Sequence, residues 1–150
     1  MRTGFSKVMV LGLIVICLLV IQPAPALASQ PEELTINAEL WMTGENSAAG
    51  SFTTTGLFSD SGEASETFFL AAQTIHGIKT LVGSVGNITI RFQAQLTWTG
   101  PTTGVAEGRF VIVSGTGAYK NLRGAGESYA ELDLATYHIL ASYTGTAHFD

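Results

Sequence analysis

Apolar and polar residues alternate without a break along residues 87 to 99. One side of this segment carries Ile88, Ile90, Phe92, Ala94, Leu96 and Trp98, and the residues between them are threonine, arginine and glutamine. Successive side chains of a β-strand point to opposite faces, so this period of two predicts a strand with one buried and one solvent-facing side. A helix would scatter the same apolar residues around its circumference.

Other segments show the same period less purely. The predicted strands cover residues 34–42, 51–58, 63–73, 78–85, 87–99, 109–114, 127–134 and 136–149. Stretches rich in glycine separate most of them, and glycine supplies the positive φ angles of tight turns. Eight antiparallel strands predict an all-β up-and-down barrel, whose closure leaves no exposed edge. An open two-sheet sandwich is the alternative.

The first 28 residues have the layout of a secretory signal peptide. Arg2 and Lys7 form a positive flank, residues 8 to 21 are apolar, and residues 26 to 28 read Ala-Leu-Ala. The apolar run of about 14 residues is shorter than the roughly 20 that span a bilayer, which disfavours an uncleaved anchor. We expect cleavage after Ala28 and a secreted product, either extracellular or periplasmic.

Cleavage would leave a flexible leader of residues 29 to 33 and one barrel domain of residues 34 to 150. The single cysteine, Cys17, lies in the signal peptide, so the exported domain would have no internal disulfide and would depend on its core. Five basic and twelve acidic residues would remain, a net charge of about −7. Such a domain, without a basic run, is not expected to bind nucleic acid or an anionic membrane.

A glycine-rich turn follows the sixth predicted strand, where residues 114 to 124 read Ser-Gly-Thr-Gly-Ala-Tyr-Lys-Asn-Leu-Arg-Gly. A dinucleotide-binding loop would need a third glycine at the position of Lys120 and a helix after it. The segment is therefore interpreted as a structural turn, in which Tyr119 and Leu122 fold inward and plug one end of the barrel. Its motif residues are Gly115, Thr116, Gly117, Tyr119, Arg123 and Gly124.

This turn is similar to the Gly-Thr-Gly-x-(Phe/Tyr)-x-x-x-Arg-Gly turn of the allene oxide cyclase and dirigent barrels, and of bacterial secreted proteins that share that barrel. The specific match covers residues 108 to 126, and a compatible strand order extends over residues 34 to 149. The resemblance implies an eight-stranded barrel with a lumen open at one end, often trimeric in the plant members. Plant allene oxide cyclases use a lumen glutamate, asparagine and tyrosine on an epoxide, and dirigent proteins orient phenoxy radicals. The acidic and amide residues of this chain do not align with those positions, so neither activity is transferred.

Several residues are candidates for lining a ligand-binding lumen. They are Glu66, Phe92, Trp98, Tyr137 and Tyr143. Tyr137 and Tyr143 share the apolar face of the last predicted strand, where two phenols could hydrogen-bond a ligand while their rings pack against it, or could simply be core aromatics. Glu66 falls on the inner face if the third strand keeps its alternation, and is otherwise a solvated residue at a strand end.

No pattern predicts a catalytic site. His76, His138 and His148 are far apart and belong to no cluster with the spacing of metal ligands, so neither a metal nor a cofactor is expected. The nucleophile elbow of hydrolases is absent from the sequence. Residues 87 to 89 form a glycosylation sequon at Asn87, which would matter only in a eukaryotic secretory pathway.

Three functions remain open. The first is a secreted barrel that binds a small apolar or aromatic molecule without catalysis. The second is an isomerase or cyclase of the type that the resemblance suggests, which requires a buried carboxylate or amide beside a lumen tyrosine. The third is a non-catalytic extracellular interaction module, or a homo-oligomer. In that case Trp41 would supply an outer-face contact, unless a register shift near Gly44 buries it.

Overall fold

The computed structural model describes residues 29 to 150 as eight strands and one short 3-10 helix. The strands are β1 (Glu32–Gly44), β2 (Ser47–Gly56), β3 (Asp60–Ala71), β4 (Thr74–Val82), β5 (Asn87–Trp98), β6 (Thr103–Gly115), β7 (Leu122–Asp133) and β8 (His138–Phe149), and the 3-10 helix is Gly117–Tyr119. The predicted signal peptide, with Cys17 and the cleavage site at Ala28, lies outside the described residues. Among residues 29 to 150, no helix is long and apolar enough to cross a membrane.

The eight strands form a closed antiparallel barrel. Each strand pairs with the next along the chain, and β8 pairs with β1, so that Leu34 lies opposite Gly145 and Ala38 opposite Ala141. Closure pairs the outer backbone groups of β1 and β8, which would otherwise form open edges. The all-β, eight-stranded antiparallel barrel predicted from the sequence is therefore confirmed, and the open sandwich is not.

The alternation in β5 is confirmed. Ile88, Ile90 and Leu96 are buried in the core, whereas Arg91 and Gln95 between them are exposed. The inner faces of the other strands supply the rest of one hydrophobic core inside the barrel. Burial of these apolar side chains is the main stabilising term for a domain without disulfides.

Several strands are longer than the sequence predicts because glycines occur inside them. β6 begins at Thr103 rather than at residue 109, and Gly108 lies within it opposite Ala94. A Cβ at residue 108 would collide with the backbone of Gln93, so glycine here permits a close approach of two strands rather than a turn. β1 is also longer than predicted, but for a different reason. It begins at Glu32, inside the predicted leader, because Glu32 pairs with Ala147 of β8.

The connections define two different barrel ends. The turns after β2, β4 and β6 lie at one end, which the 3-10 helix closes. As predicted, Tyr119 and Leu122 fold inward and are buried, and the Tyr119 ring packs 4.8 Å from that of Phe58. The turns after β1, β3, β5 and β7 lie at the opposite end, which we call the open end.

Candidate functional site

The structure places two of the predicted lumen residues outside the lumen, at the rim of the open end. Trp98 is 47% exposed and Tyr137 is 62% exposed. Trp98 is the last residue of β5, and its indole lies beside Gly104 rather than under a facing wall. Tyr137 lies in the turn before β8 with a left-handed φ of 58°, where its carbonyl oxygen accepts a hydrogen bond from the Met42 amide, so it does not share the face of Tyr143.

Exposed apolar side chains lie at strand ends and in turns at this end of the barrel. Leu70 near the end of β3 and Leu134 in the turn after β7 are exposed together with Trp98 and Tyr137. We call these four residues the apolar collar. These four side chains share one end of the barrel, and exposed apolar side chains that form a patch indicate a contact or binding site more strongly than single ones do.

The other three predicted residues lie inside the barrel. Glu66, Phe92 and Tyr143 are buried on the inner faces of β3, β5 and β8. The rings of Phe92 and Tyr143 are 6.2 Å apart in an edge-on arrangement. Gly77 lies opposite Phe92 on β4, and a side chain there would overlap the Phe92 ring. Glycine at residue 77 therefore lets the phenyl ring lie across the lumen.

Lys79 is the buried charged residue that the sequence analysis missed. Its side chain is 0% exposed, and Nζ lies 2.9 Å from Oε2 of Glu66, whose side chain is 6% exposed. Nζ also lies 4.9 Å from the centre of the Tyr143 ring, within the range of a cation–π interaction. Burial lowers the pKa of Lys79, and the charge of Glu66 opposes that shift.

The position of Lys79 follows from the same alternation that buries Ile75 and Leu81 on β4. Glu66 and Lys79 are directly opposite in the β3–β4 register. Lysine is rarely buried in proteins, so its residue type led the sequence analysis to overlook an inward position for Lys79. The missed signal was a matched pair, because an inward acid on one strand and an inward base opposite it can neutralise each other.

The Lys79–Glu66 contact is a close ion pair inside the barrel. Lys79 Nζ and Ser128 Oγ are buried polar atoms with no hydrogen-bond partner among the described residues. Ser128 lies opposite Tyr143 in the β7–β8 register, so the two hydroxyl-bearing residues are neighbours on the inner wall. Burial, with a smaller contribution from the charge of Glu66, raises the pKa of Tyr143 well above its usual value. The phenol therefore stays protonated and able to donate.

A cavity of about 40 Å³ separates these polar residues from the open end. Glu66, Ser128 and Tyr143 belong to its lining, and we call these three residues the lumen floor. The apolar part of the lining is Phe68, Ile75, Phe92, Ala94, Ala106, Ala130, Leu132, Ile139 and Ala141. The volume suffices for a few water molecules and is well below the roughly 300 to 1,000 Å³ of pockets that enclose a drug-sized ligand.

The histidines and Trp41 lie away from the lumen. Trp41 is on the outer face, as one of the two alternatives predicts, and packs against His138 with ring centres 5.0 Å apart and planes tilted by 31°. His138 Nε2 lies 3.0 Å from a carboxylate oxygen of Glu39. Within residues 29 to 150, the structure contains no group of three or more His, Cys, Asp or Glu side chains that could hold a metal ion.

Comparisons with known proteins give one similar structure. No protein-family model matches the chain, and no curated protein matches it. Among solved structures, the barrel is similar to the pterocarpan synthase dirigent protein, with a TM-score of 0.45 and 14% sequence identity, over 86% of this chain and 98% of that chain.

Proposed function

We propose that the barrel binds a small, mostly apolar molecule at its open end and receives a polar group of that molecule at the lumen floor. The observation that carries this proposal is the hydroxyl of Ser128, which is buried without a protein partner beside an apolar cavity. A buried polar group without a partner costs about 1 to 3 kcal/mol. A water molecule or a ligand atom in the cavity would relieve that cost.

The size of the cavity limits how much of a ligand enters. About 40 Å³ holds the polar end of a molecule, and the rest would lie in the mouth against the apolar collar. Phe68, which is only partly buried at the cavity wall, is the side chain best placed to move and deepen the site. This arrangement favours a flat ring system of one or two rings with one polar substituent.

The charges of the floor favour a neutral ligand. Glu66 and Lys79 neutralise each other, and the Tyr143 phenol is uncharged. An ionised ligand would lose its hydration without gaining a counter-ion, which is costly in an apolar site. The expected polar group is therefore a hydroxyl or a carbonyl. Residues 114 to 124 resemble the turn of two families of barrels that use their lumen, and this resemblance also supports a ligand site inside the barrel.

A fluorescence titration tests this function. The chain has two tryptophans, so Trp41→Phe leaves Trp98 in the collar as the sole indole reporter. We expect 2-naphthol to quench Trp98 more tightly than naphthalene, and 2-naphthoate to have little effect. Ala106→Leu, which fills the cavity, should abolish the difference between 2-naphthol and naphthalene. Equal quenching by all three probes, or no quenching by any, would contradict the proposal.

A second candidate function is an isomerase, and the burial of Glu66 in the same cavity as Tyr143 favours it. The carboxylate of Glu66 would accept a proton from a carbon of the ligand, while the hydroxyl of Tyr143 donates a hydrogen bond to the ligand oxygen. The proton then returns to another atom of the same molecule, so no co-reactant is consumed.

Deuterium exchange separates binding from this second function. The protein is incubated with 1-tetralone in D₂O, and exchange at carbon 2 is followed by NMR. An isomerase should accelerate exchange, and Glu66→Gln should remove the acceleration while Tyr143→Phe reduces it. If 1-tetralone binds but its exchange stays at the uncatalysed rate, the barrel is a binding protein and not an isomerase.

We also propose that the barrel acts outside the cytoplasm after removal of residues 1 to 28. The support is the positive flank, apolar run and small-residue triplet of that segment. Expression of the full chain in a secreting host, followed by N-terminal sequencing of the exported product, should identify Ser29 as its first residue. Recovery of a cell-associated product that retains Arg2 would contradict it.

A further inference from the structure

The outer face of β3, β4, β5 and β6 forms a groove of about 720 Å³ on the other side of the sheet from the lumen. Two rows of paired residues cross it. The first row is Phe69, His76, Gln93 and Arg109, and the second is Thr67, Ile78, Arg91 and Val111. The register of four strands therefore brings two cations, an amide and an aromatic pair into one surface depression.

The two arginines of the groove have no carboxylate partner. None of the ion pairs among residues 29 to 150 involves Arg91 or Arg109. Arg109 lies opposite Glu127 in the β6–β7 register, yet it forms no ion pair with Glu127 and instead lines the groove on its β5 side. In a chain with seven basic and twelve acidic residues, this groove is a local concentration of positive charge.

An aromatic surface adjoins the cations. The rings of Phe69 and His76 are stacked, with centres 5.0 Å apart and planes 14° apart. Phe69 is 58% exposed, and Ile78 in the neighbouring row is also exposed. A planar ring could therefore cover this apolar surface while its substituents reach the arginines.

We propose that this groove binds a planar aromatic carboxylate. A guanidinium group pairs with a carboxylate through two parallel hydrogen bonds, and the amide of Gln93 lies between Arg109 and the aromatic pair to donate a further one. The volume falls within the roughly 300 to 1,000 Å³ of ligand pockets. The lumen and the groove thus select opposite ligands, neutral and anionic, and the groove does not depend on the function proposed for the lumen.

Calorimetric titration with 2-naphthoate tests the proposal. Arg91→Gln and Arg109→Gln should each weaken binding about tenfold, and the double variant should abolish it. Both residues are exposed, so the thermal unfolding temperature should not change. Lys120→Gln is the matched control, because Lys120 is an exposed cation next to the 3-10 helix and outside the groove. It should leave the affinity unchanged.

Two further measurements test which ligand the groove prefers and where that ligand binds. Phe69→Ser should weaken binding of 2-naphthoate, and inorganic sulfate should bind much more weakly than 2-naphthoate. In amide NMR spectra, 2-naphthoate should shift Arg91, Gln93 and Arg109, and the lumen-filling Ala106→Leu should not affect these shifts. Shifts confined to lumen residues, or sulfate binding as tight as that of 2-naphthoate, would overturn the proposal.

The oligomeric state of the protein tests the proposal independently. The groove is available to a small anion only if a second copy of the chain does not cover it. Sedimentation of the ligand-free protein should give the same mass for the native chain and for the double arginine variant. A native oligomer that the double variant dissociates would overturn the proposal and assign the groove to self-association.

Discussion

Tyr119 donates a hydrogen bond of 2.6 Å to the carboxylate of Asp60, which lies 59 residues earlier in the chain. The same carboxylate accepts hydrogen bonds from the Ser84 hydroxyl at 2.7 Å and from the Ser61 amide at 2.8 Å. These contacts join the start of β3, the loop after β4 and the 3-10 helix. They hold one end of the barrel closed.

The first prediction concerns the pH dependence of stability. Hydrogen bonds, from Tyr119 above all, lower the pKa of Asp60 to about 2. Because this value is below that of an unfolded aspartate, the contribution to stability is complete above about pH 4 and is lost as the pH falls through about 2. Asp60→Asn should lower the melting temperature at pH 7 by roughly 3 to 6 °C, allowing for partial exposure, and by much less near pH 2.

Circular dichroism melting curves of both proteins at pH 7, 5, 3 and 2 check this prediction. A constant difference in melting temperature over that range would mean that the charge of Asp60 does not contribute.

The second prediction separates the hydroxyl of Tyr119 from its ring. Tyr119→Phe removes the bond to Asp60 and should cost about 1 to 2 kcal/mol of unfolding free energy. Tyr119→Ala also removes the ring against Phe58 and should cost about 3 to 5 kcal/mol. Urea denaturation measures both. The control is Tyr129→Phe. The Tyr129 hydroxyl bonds to Glu131 on the exposed surface, so its removal should leave the unfolding free energy nearly unchanged. An equal cost for the two phenylalanine variants would argue against the plug.

The third prediction concerns the buried ion pair. Lys79→Met leaves the Glu66 carboxylate buried without a counter-charge and should cost about 3 to 5 kcal/mol. The double variant Lys79→Met and Glu66→Leu replaces both charges with apolar groups and should recover most of that loss. Guanidinium denaturation of the two single variants and the double variant gives the coupling energy. If the single variants are as stable as the native chain, the two residues are not paired inside the barrel.

The fourth prediction is that a change at Ser128 affects stability and ligand binding differently. Ser128→Ala removes a buried hydroxyl that has no protein partner, so the ligand-free barrel should be equally stable or slightly more stable. The same change should weaken binding of 2-naphthol about tenfold if the ligand satisfies that hydroxyl. Ser142→Ala is the control, since Ser142 pairs with Tyr129 on the outer face and should alter neither quantity. A loss of stability in Ser128→Ala without a loss of affinity would assign Ser128 to the core.

Part of the candidate site could be predicted from the sequence. Alternation alone identifies the inner face of β5 with Phe92, and it places Glu66 and Tyr143 inward on their strands. It fails at strand ends. Trp98 and Tyr137 have the parity of inner residues, but Trp98 is the exposed last residue of β5, and Tyr137 lies in the turn before β8 with a left-handed φ. Burial there depends on how far the neighbouring strands extend.

The sequence by itself determined the all-β class, the alternation of inner and outer faces and the inward plug of Tyr119 and Leu122, because these follow from local backbone geometry and residue type. Closure of the sheet by pairing of β1 with β8 joins the two ends of the domain, so it was decided by the tertiary structure. Only the tertiary structure decided which side chains meet. The pairing of Lys79 with Glu66, and the rows that bring Arg91 and Arg109 into one groove, depend on the register between strands. A period of two along one strand excludes a slip of one residue, which would turn the apolar side chains outward, but it does not exclude a slip of two residues. The turns between strands and the closure of the barrel decide among the remaining registers.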